Sequence, residues 1–210
     1  EFLAESMSEC ALESRRPFAP RINGEPILAG ISYGPYREGQ RPGGPFPSDE
    51  EIEEDLRIIA EHWQMLRVYG SGHPTESILR IIRDEDLPLV VLLGAWISPD
   101  DLELNEAEIG HAIRLANAYP EQVAAVSVGN ETQVFWSGHR SPQDRLVEYL
   151  RVVRCSVAQP VTTADDYNFW NKPEAAAVVD GVDFILLHAY AMWNRQALDD
   201  AVAWTATAVS

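Results

Sequence analysis

The stretch VAAVSVGNE, residues 123–131, decides how the chain folds. Val123 to Val128 are small or β-branched and uncharged, too short a run for a buried helix and too continuous for a strand with one wet face. Such a run reads as a strand buried on both faces, as in a parallel sheet. It closes on Gly129, Asn130 and Glu131, an amide and a carboxylate at the C-terminal tip. The same grammar recurs in ILAGISYG (27–34), QMLRVYG (64–70), LPLVVLLGAW (87–96), PVTTADDY (160–167) and VDFILLHAY (182–190).

Amphipathic helices are expected between these runs. Ser48 followed by Glu51 is a capping-box pattern, after which Ile52, Leu56, Ile59 and Trp63 fall at helical spacing. Asn105 with Glu108 repeats the signal ahead of Ile109, Ala112, Ile113 and Ala116. Ser141-Pro142 offers an N-cap with proline at the first helical position, before Leu146, Tyr149, Leu150 and Val153. A short helix is expected from Pro173 to Val179, and a last one from about Asn194 to Val209. Strand–helix alternation without hairpin signals predicts an α/β fold with a parallel sheet or barrel. Residues 1–25 read as a polar lead ending in the turn RINGEP, and no linker interrupts 26–210.

Composition narrows the function classes. The 210 residues suffice for one sizeable core, and 46% apolar with 23% charged residues fits a soluble globular domain. The net charge is −17, with Lys172 as the one lysine. A surface that acidic repels phosphate backbones and anionic lipids, which excludes nucleic acid as the expected partner and suits a neutral ligand. The longest apolar run, 87–97, is broken by Pro88 and Gly94 and falls short of the roughly 20 residues a membrane helix needs, so no membrane insertion is expected. Cys10 and Cys155 lack metal or redox spacing; Cys155 reads most simply as a small core residue, with a Cys10–Cys155 disulfide as the less favoured alternative. His62, His73, His111 and His139 show no mutual metal spacing, and neither metal nor cofactor is expected. The chain starts at Glu1 with no signal sequence, so its compartment is not legible from the N-terminus.

The residues that carry chemistry gather at one place. The first strand ends in Tyr33, Gly34 and Tyr36; the second in Arg67, Tyr69 and Gly70; the third in Trp96. Asn130 and Glu131 end the fourth, with Phe135 and Trp136 just beyond. Asp165, Asp166, Tyr167, Phe169 and Trp170 follow the fifth, and His188, Tyr190 and Trp193 the sixth. Taken singly, each has a blander explanation: an aromatic in the core, a hydrogen-bonded core histidine, a carboxylate favoured at a helix start. Their recurrence at the C-terminal ends of successive strands is where parallel barrels build active sites. Flat aromatic faces beside carboxylates and neutral donors suit a sugar chain.

GISYGPY, LRVYGSG, VSVGNE and DFILLHAYAMW, in this order and spacing, resemble the bacterial branch of glycoside hydrolase family 17, over about residues 26–205. The resemblance implies a (β/α)8 TIM barrel of clan A, present here as about six βα units, and a retaining enzyme or transglycosylase acting on β-1,3-glucan. It implies Glu131 as general acid/base and Asn130 as the amide that grips the sugar 2-hydroxyl. It places Arg67 and Tyr190 near the nucleophile and Tyr33, Tyr69, Trp96, Phe169, His188 and Trp193 in or near the glucan cleft. A retaining glycosidase needs a second carboxylate about 5–5.5 Å from the first. The family's nucleophile, a glutamate after the seventh strand, has no counterpart in this sequence, and no glutamate follows Glu174. A truncated barrel, inactive by itself, is therefore the expectation, with Asp165 or Asp166 as a disfavoured substitute nucleophile. The alternatives are a non-catalytic glucan-binding barrel and a clan A glycosidase for another β-glycan. The substrate class implies extracytoplasmic action.

Overall fold

In the computed structural model, which describes residues 14–209, six parallel strands form one sheet in chain order, curled as an open barrel wall. They are β1 (Ile31–Ser32), β2 (Met65–Arg67), β3 (Val90–Ala95), β4 (Val123–Asn130), β5 (Val161–Asp166) and β6 (Leu186–His188). Every expected strand is present, and the fold is the incomplete (β/α) barrel that the sequence implies. β3 and β5 are buried at every position and β4 nearly so, as their unbroken apolar runs require. β1, β2 and β6, towards the sheet's two ends, are only partly buried.

The helices are α1 (Asp49–Ala60), α2 (His73–Asp84), α3 (Leu102–Ala118), α4 (Gln143–Ser156), the single turn α5 (Tyr167–Trp170), α6 (Ala176–Gly181) and α7 (Leu198–Ala208). Ile52 and Leu56 of α1, Ile78 and Leu79 of α2, Ile109 and Leu115 of α3, and Leu146 and Leu150 of α4 share one buried cluster with Leu66, Val91, Leu93, Val126, Val128 and Val161 of the sheet. Each such side chain contributes about 1.5–3 kcal/mol by leaving water. The Ser48–Glu51 capping box forms as expected. α3 starts earlier than the Asn105 signal suggests: Asp101 caps it through the Leu104 N–H, while Asn105 is buried and bonds the backbone of Ser98. α4 begins at Gln143, so Pro142 sits at the cap itself rather than at the first helical position.

The residues before β1 are tied to the sheet. RINGEP is a small antiparallel hairpin, Arg21–Ile22 with Glu25–Pro26, turned by Asn23 and Gly24 at φ 53° and 83°, as a tight hairpin turn requires. Arg16 bonds Asp183 and the Val157 carbonyl, and Phe18 stacks on Phe184 at 4.3 Å between ring centroids. Cys155 is disulfide-bonded rather than the free core thiol expected of it; Cys10 lies outside the described residues. At the far side α7 has no buried residue, and Leu198 and Val202 are exposed. Among the described residues no helix is long and apolar enough to cross a membrane.

Candidate active site

Glu131 stands on a deformation of β4. The pairing of β4 with β5 slips between Ser127 and Asn130, and Gly129 takes φ 78°. A Cβ at Gly129 would lie 3.0 Å from the Thr132 methyl, so both the backbone angle and the space favour glycine. Glu131 itself takes φ 52°, uncommon for a residue with a side chain, while its N–H still donates to the Ala164 carbonyl at 2.7 Å. Consecutive residues of a regular strand face opposite sides. Here the bulge brings Asn130 and Glu131 onto one side-chain network.

That network runs from β2 to β6. Arg67 donates from one nitrogen to Asn130 Oδ1 at 2.6 Å and from another to His188 Nε2 at 2.9 Å. His188 Nδ1 lies 2.7 Å from Glu131 Oε1, and the Tyr190 hydroxyl reaches the same oxygen at 3.5 Å. The Arg67 guanidinium also lies over the Tyr69 ring, 4.7 Å from its centroid. Arg67 reaches this point because Gly94 lets β2 approach β3: a Cβ there would come within 2.4 Å of the Val68 carbonyl oxygen. Burial pulls the His188 imidazole below its ordinary value; the Glu131 bond opposes that and the Arg67 charge reinforces it, so the net effect favours the neutral ring.

Asp165 holds the segment after Glu131. Its fully buried carboxylate accepts from the Gln133, Val134 and Asp166 N–H groups at 2.8, 3.2 and 2.8 Å. Burial pushes it up to about 6, against the downward pull of those bonds and with the Glu131 charge adding to the rise. Asp166 caps α5 through the Asn168 N–H. Both aspartates are thus engaged with backbone amides, which does not suit either as a nucleophile.

Six of the residues singled out from the sequence meet here: Arg67, Tyr69, Asn130, Glu131, His188 and Tyr190. Trp96 joins through a residue to which the sequence assigned nothing: its ring lies 5.0 Å from that of His139, and His139 Nε2 donates to the Asn130 carbonyl at 2.7 Å. Tyr33 turns its hydroxyl to Asp55 of α1 at 2.9 Å. Phe169 is buried in the core, 5.3 Å from the Trp170 ring. Trp193 is exposed and outside the network. Glu108 of α3, expected only as a capping partner, instead accepts from the Ser71 and Trp96 N–H groups and so fixes the ends of β2 and β3. Nothing local in the sequence marks His139; Glu108 is marked only by its place on the helix after β3. Among the described residues no cluster of three His, Cys, Asp or Glu side chains is placed to hold a metal.

Over residues 30–210 the sequence matches the BtgE/BtgC glycoside hydrolase domain. It is 25% identical over 163 residues to a protein of Arthroderma benhamiae named glucan 1,3-beta-glucosidase, covering 77% of this chain and 52% of that one. An endo-laminarinase from Formosa Hel1_33_131 superposes with a TM-score of 0.70 at 26% identity, covering 79% of this chain and 50% of that one. A glycoside hydrolase family 17 β-1,3-glucanosyltransferase from Rhizomucor miehei, 23% identical, shares the fold with a TM-score of 0.65 over 85% of this chain and 66% of that one. The chain spans about half the length of the curated relatives it matches.

Proposed function

The chain belongs to the BtgE/BtgC glycoside hydrolase domain family, in keeping with its family 17 resemblance, and from that premise we propose that it carries the acid/base half of a retaining enzyme that hydrolyses or transfers β-1,3-glucan. The observation that carries this reading is Glu131 at the bulged tip of β4, hydrogen-bonded to His188 beside Asn130 and Arg67. In the first step the bond from the anomeric carbon to the leaving oxygen breaks while Glu131 protonates that oxygen, and a second carboxylate takes the anomeric carbon. In the second step Glu131 removes a proton from water, for hydrolysis, or from a sugar hydroxyl, for transfer, while that oxygen bonds to the anomeric carbon and the bond from the anomeric carbon to the second carboxylate breaks. The same Glu131 thus serves both outcomes.

Asn130 spends its Oδ1 on Arg67, so what it offers a sugar hydroxyl is its NH2 group. Tyr69, Trp96 and Tyr190 are partly exposed around Glu131 and offer flat faces to pyranose C–H groups. The names of the relatives, glucan 1,3-beta-glucosidase and endo-laminarinase, support a β-1,3-glucan as the substrate. The match covers 52% and 50% of those two relatives, and no glutamate follows Glu174 in this sequence to serve as the partner carboxylate. Extracytoplasmic action fits a polymeric substrate, and the disulfide at Cys155 fits an oxidising compartment.

Replacing Glu131 by Ala in the catalytically active protein tests the role. Substrates with poor leaving groups should lose far more rate than activated aryl glycosides, because only the former need protonation. Equal losses on both classes count against Glu131 as the acid and favour a glucan-binding barrel.

A further inference from the structure

Among the described residues His188 is the one side chain that joins Arg67 to Glu131 directly, and both its ring nitrogens are engaged. A guanidinium has donors and no acceptor. Arg67 at 2.9 Å from Nε2 therefore requires that nitrogen to be the unprotonated one. The imidazole proton then sits on Nδ1, 2.7 Å from Glu131 Oε1, where the carboxylate accepts it. An imidazolium would set an N–H against the N–H of Arg67 at that distance. The opposite tautomer would do the same and would also leave a basic nitrogen facing Glu131.

We infer that His188 is the positioning residue of Glu131, locked by Arg67 in the Nδ1–H form so that it donates to the carboxylate and has no lone pair free to take its proton. This rests on the reading of Glu131 as the acid/base. An acid beside a free imidazole lone pair would pass its proton sideways to the ring rather than forward to the glycosidic oxygen. Arg67 removes that competitor by occupying the only basic nitrogen. Oε1 already receives His188 and, more distantly, the Tyr190 hydroxyl. The transferable proton therefore belongs on Oε2. The position is well defined: the His188 and Glu131 side chains are 9% and 15% exposed, and His188 is in register with Asp166 across the β5–β6 pair. Sequence gives the histidine a place at the strand tip but says nothing of which nitrogen carries the proton.

Two readouts test this. In the chain labelled with 15N-histidine, long-range proton–nitrogen correlation spectra report the tautomer of each ring, with the His188 signals assigned by their loss in His188→Asn. His188 should show a protonated Nδ1 and an unprotonated Nε2 at pH 7, and Arg67→Met should shift it toward the mixture of an unconstrained imidazole. An Nε2–H form or an imidazolium in the unmodified chain overturns the inference, whether or not any variant folds. In the active protein, His188→Ala should slow substrates with poor leaving groups at least about tenfold and activated aryl glycosides by less than about threefold. Equal losses on the two classes would mark His188 as a substrate contact or a structural residue and also overturn it. If Glu131→Ala itself shows no leaving-group dependence, the acid/base reading fails first; if Glu131→Ala does and His188→Ala does not, only the positioning role fails.

Discussion

Replacing Asp183 by Ala should unfasten the base of the sheet from three directions at once. Its side chain is fully buried and accepts from the Val161 N–H, the Arg16 N–H and Nε, and Arg154, all at 2.8–3.0 Å. It thereby joins β5, α4 and the segment before the hairpin to the start of the sixth strand run. Removal strands two cations unequally. Arg16 is 25% exposed and can turn to water, but Arg154 is 4% exposed and keeps only long contacts of 3.5 Å to the Asp180 and Gly181 carbonyls. A buried charge stripped of its partner costs about 3–5 kcal/mol. For a chain of this size each kcal/mol moves Tm by about 2–4 °C, so a fall of about 6–20 °C is expected at pH 7. The pH dependence has a definite sign. Burial pushes the Asp183 carboxyl up, but the Arg16 and Val161 N–H groups and the Arg16 side chain outweigh it and hold it below the usual range. A depressed carboxylate contributes stability above its unfolded value of about 3.9, and that stability is lost as pH falls through the folded value. The gap between Asp183→Ala and the parent should therefore close as pH falls below about 4. Denaturant melts at pH 7, 4 and 3 measure it. A loss under about 1 kcal/mol at pH 7, or a gap that widens on acidification, would refute the assigned role.

Asp165 should show the opposite dependence. Its carboxyl is raised to about 6 by burial, so its ionisation opposes folding above that pH, and the parent regains about 2 kcal/mol between pH 7.5 and 4.5. Asp165→Asn, which keeps one acceptor oxygen, should thus appear more destabilising at pH 4.5 than at pH 7.5 in paired melts, and the reverse order would mean burial is not the cause. Laminari-oligosaccharides should bind in preference to cello- or manno-oligosaccharides; isothermal calorimetry with each series checks this, and tighter binding of β-1,4-linked ligands would overturn the β-1,3 assignment while leaving the barrel intact.

The strands were legible because burial on both faces leaves a strong trace: Val90 to Ala95 and Val123 to Val128 admit almost nothing polar. The first strand was legible in kind but not in length. ILAGISYG shrinks to a paired Ile31–Ser32, because a sheet-end strand pairs on one side only, and Leu28 is exposed. Helix starts slipped by a few residues where two capping side chains competed, as with Asp101 and Asn105. The hairpin around Asn23-Gly24 was read as a turn alone, its strands being too short to show alternation.

The site was legible to the extent that strand tips carry it, and illegible where contacts cross the barrel. Arg67, Asn130 and His188 each end a strand, with Glu131 and Tyr190 just beyond, so parallel pairing brings all five to one edge of the sheet. Phe169 also follows a strand, yet it is buried, because Asp166 caps the one-turn helix that carries it. The bulge that turns Glu131 onto the same network as Asn130 depends on how β4 registers with β5, which no local pattern encodes. A left-handed residue with a side chain costs on the order of 1–3 kcal/mol and persists only where its surroundings over-determine it. Here they do: the Glu131 N–H is tied to Ala164, the Gln133 and Val134 N–H groups to Asp165, and the Thr132 carbonyl to Ser141. Asp165 is itself raised in pKa by its burial, so the segment is held at the expense of a costly buried carboxylate. Strain at Glu131 and a costly clamp beside it make little sense as packing, since a regular strand ending would avoid both. They make sense if the direction of one carboxylate is what the fold has to fix.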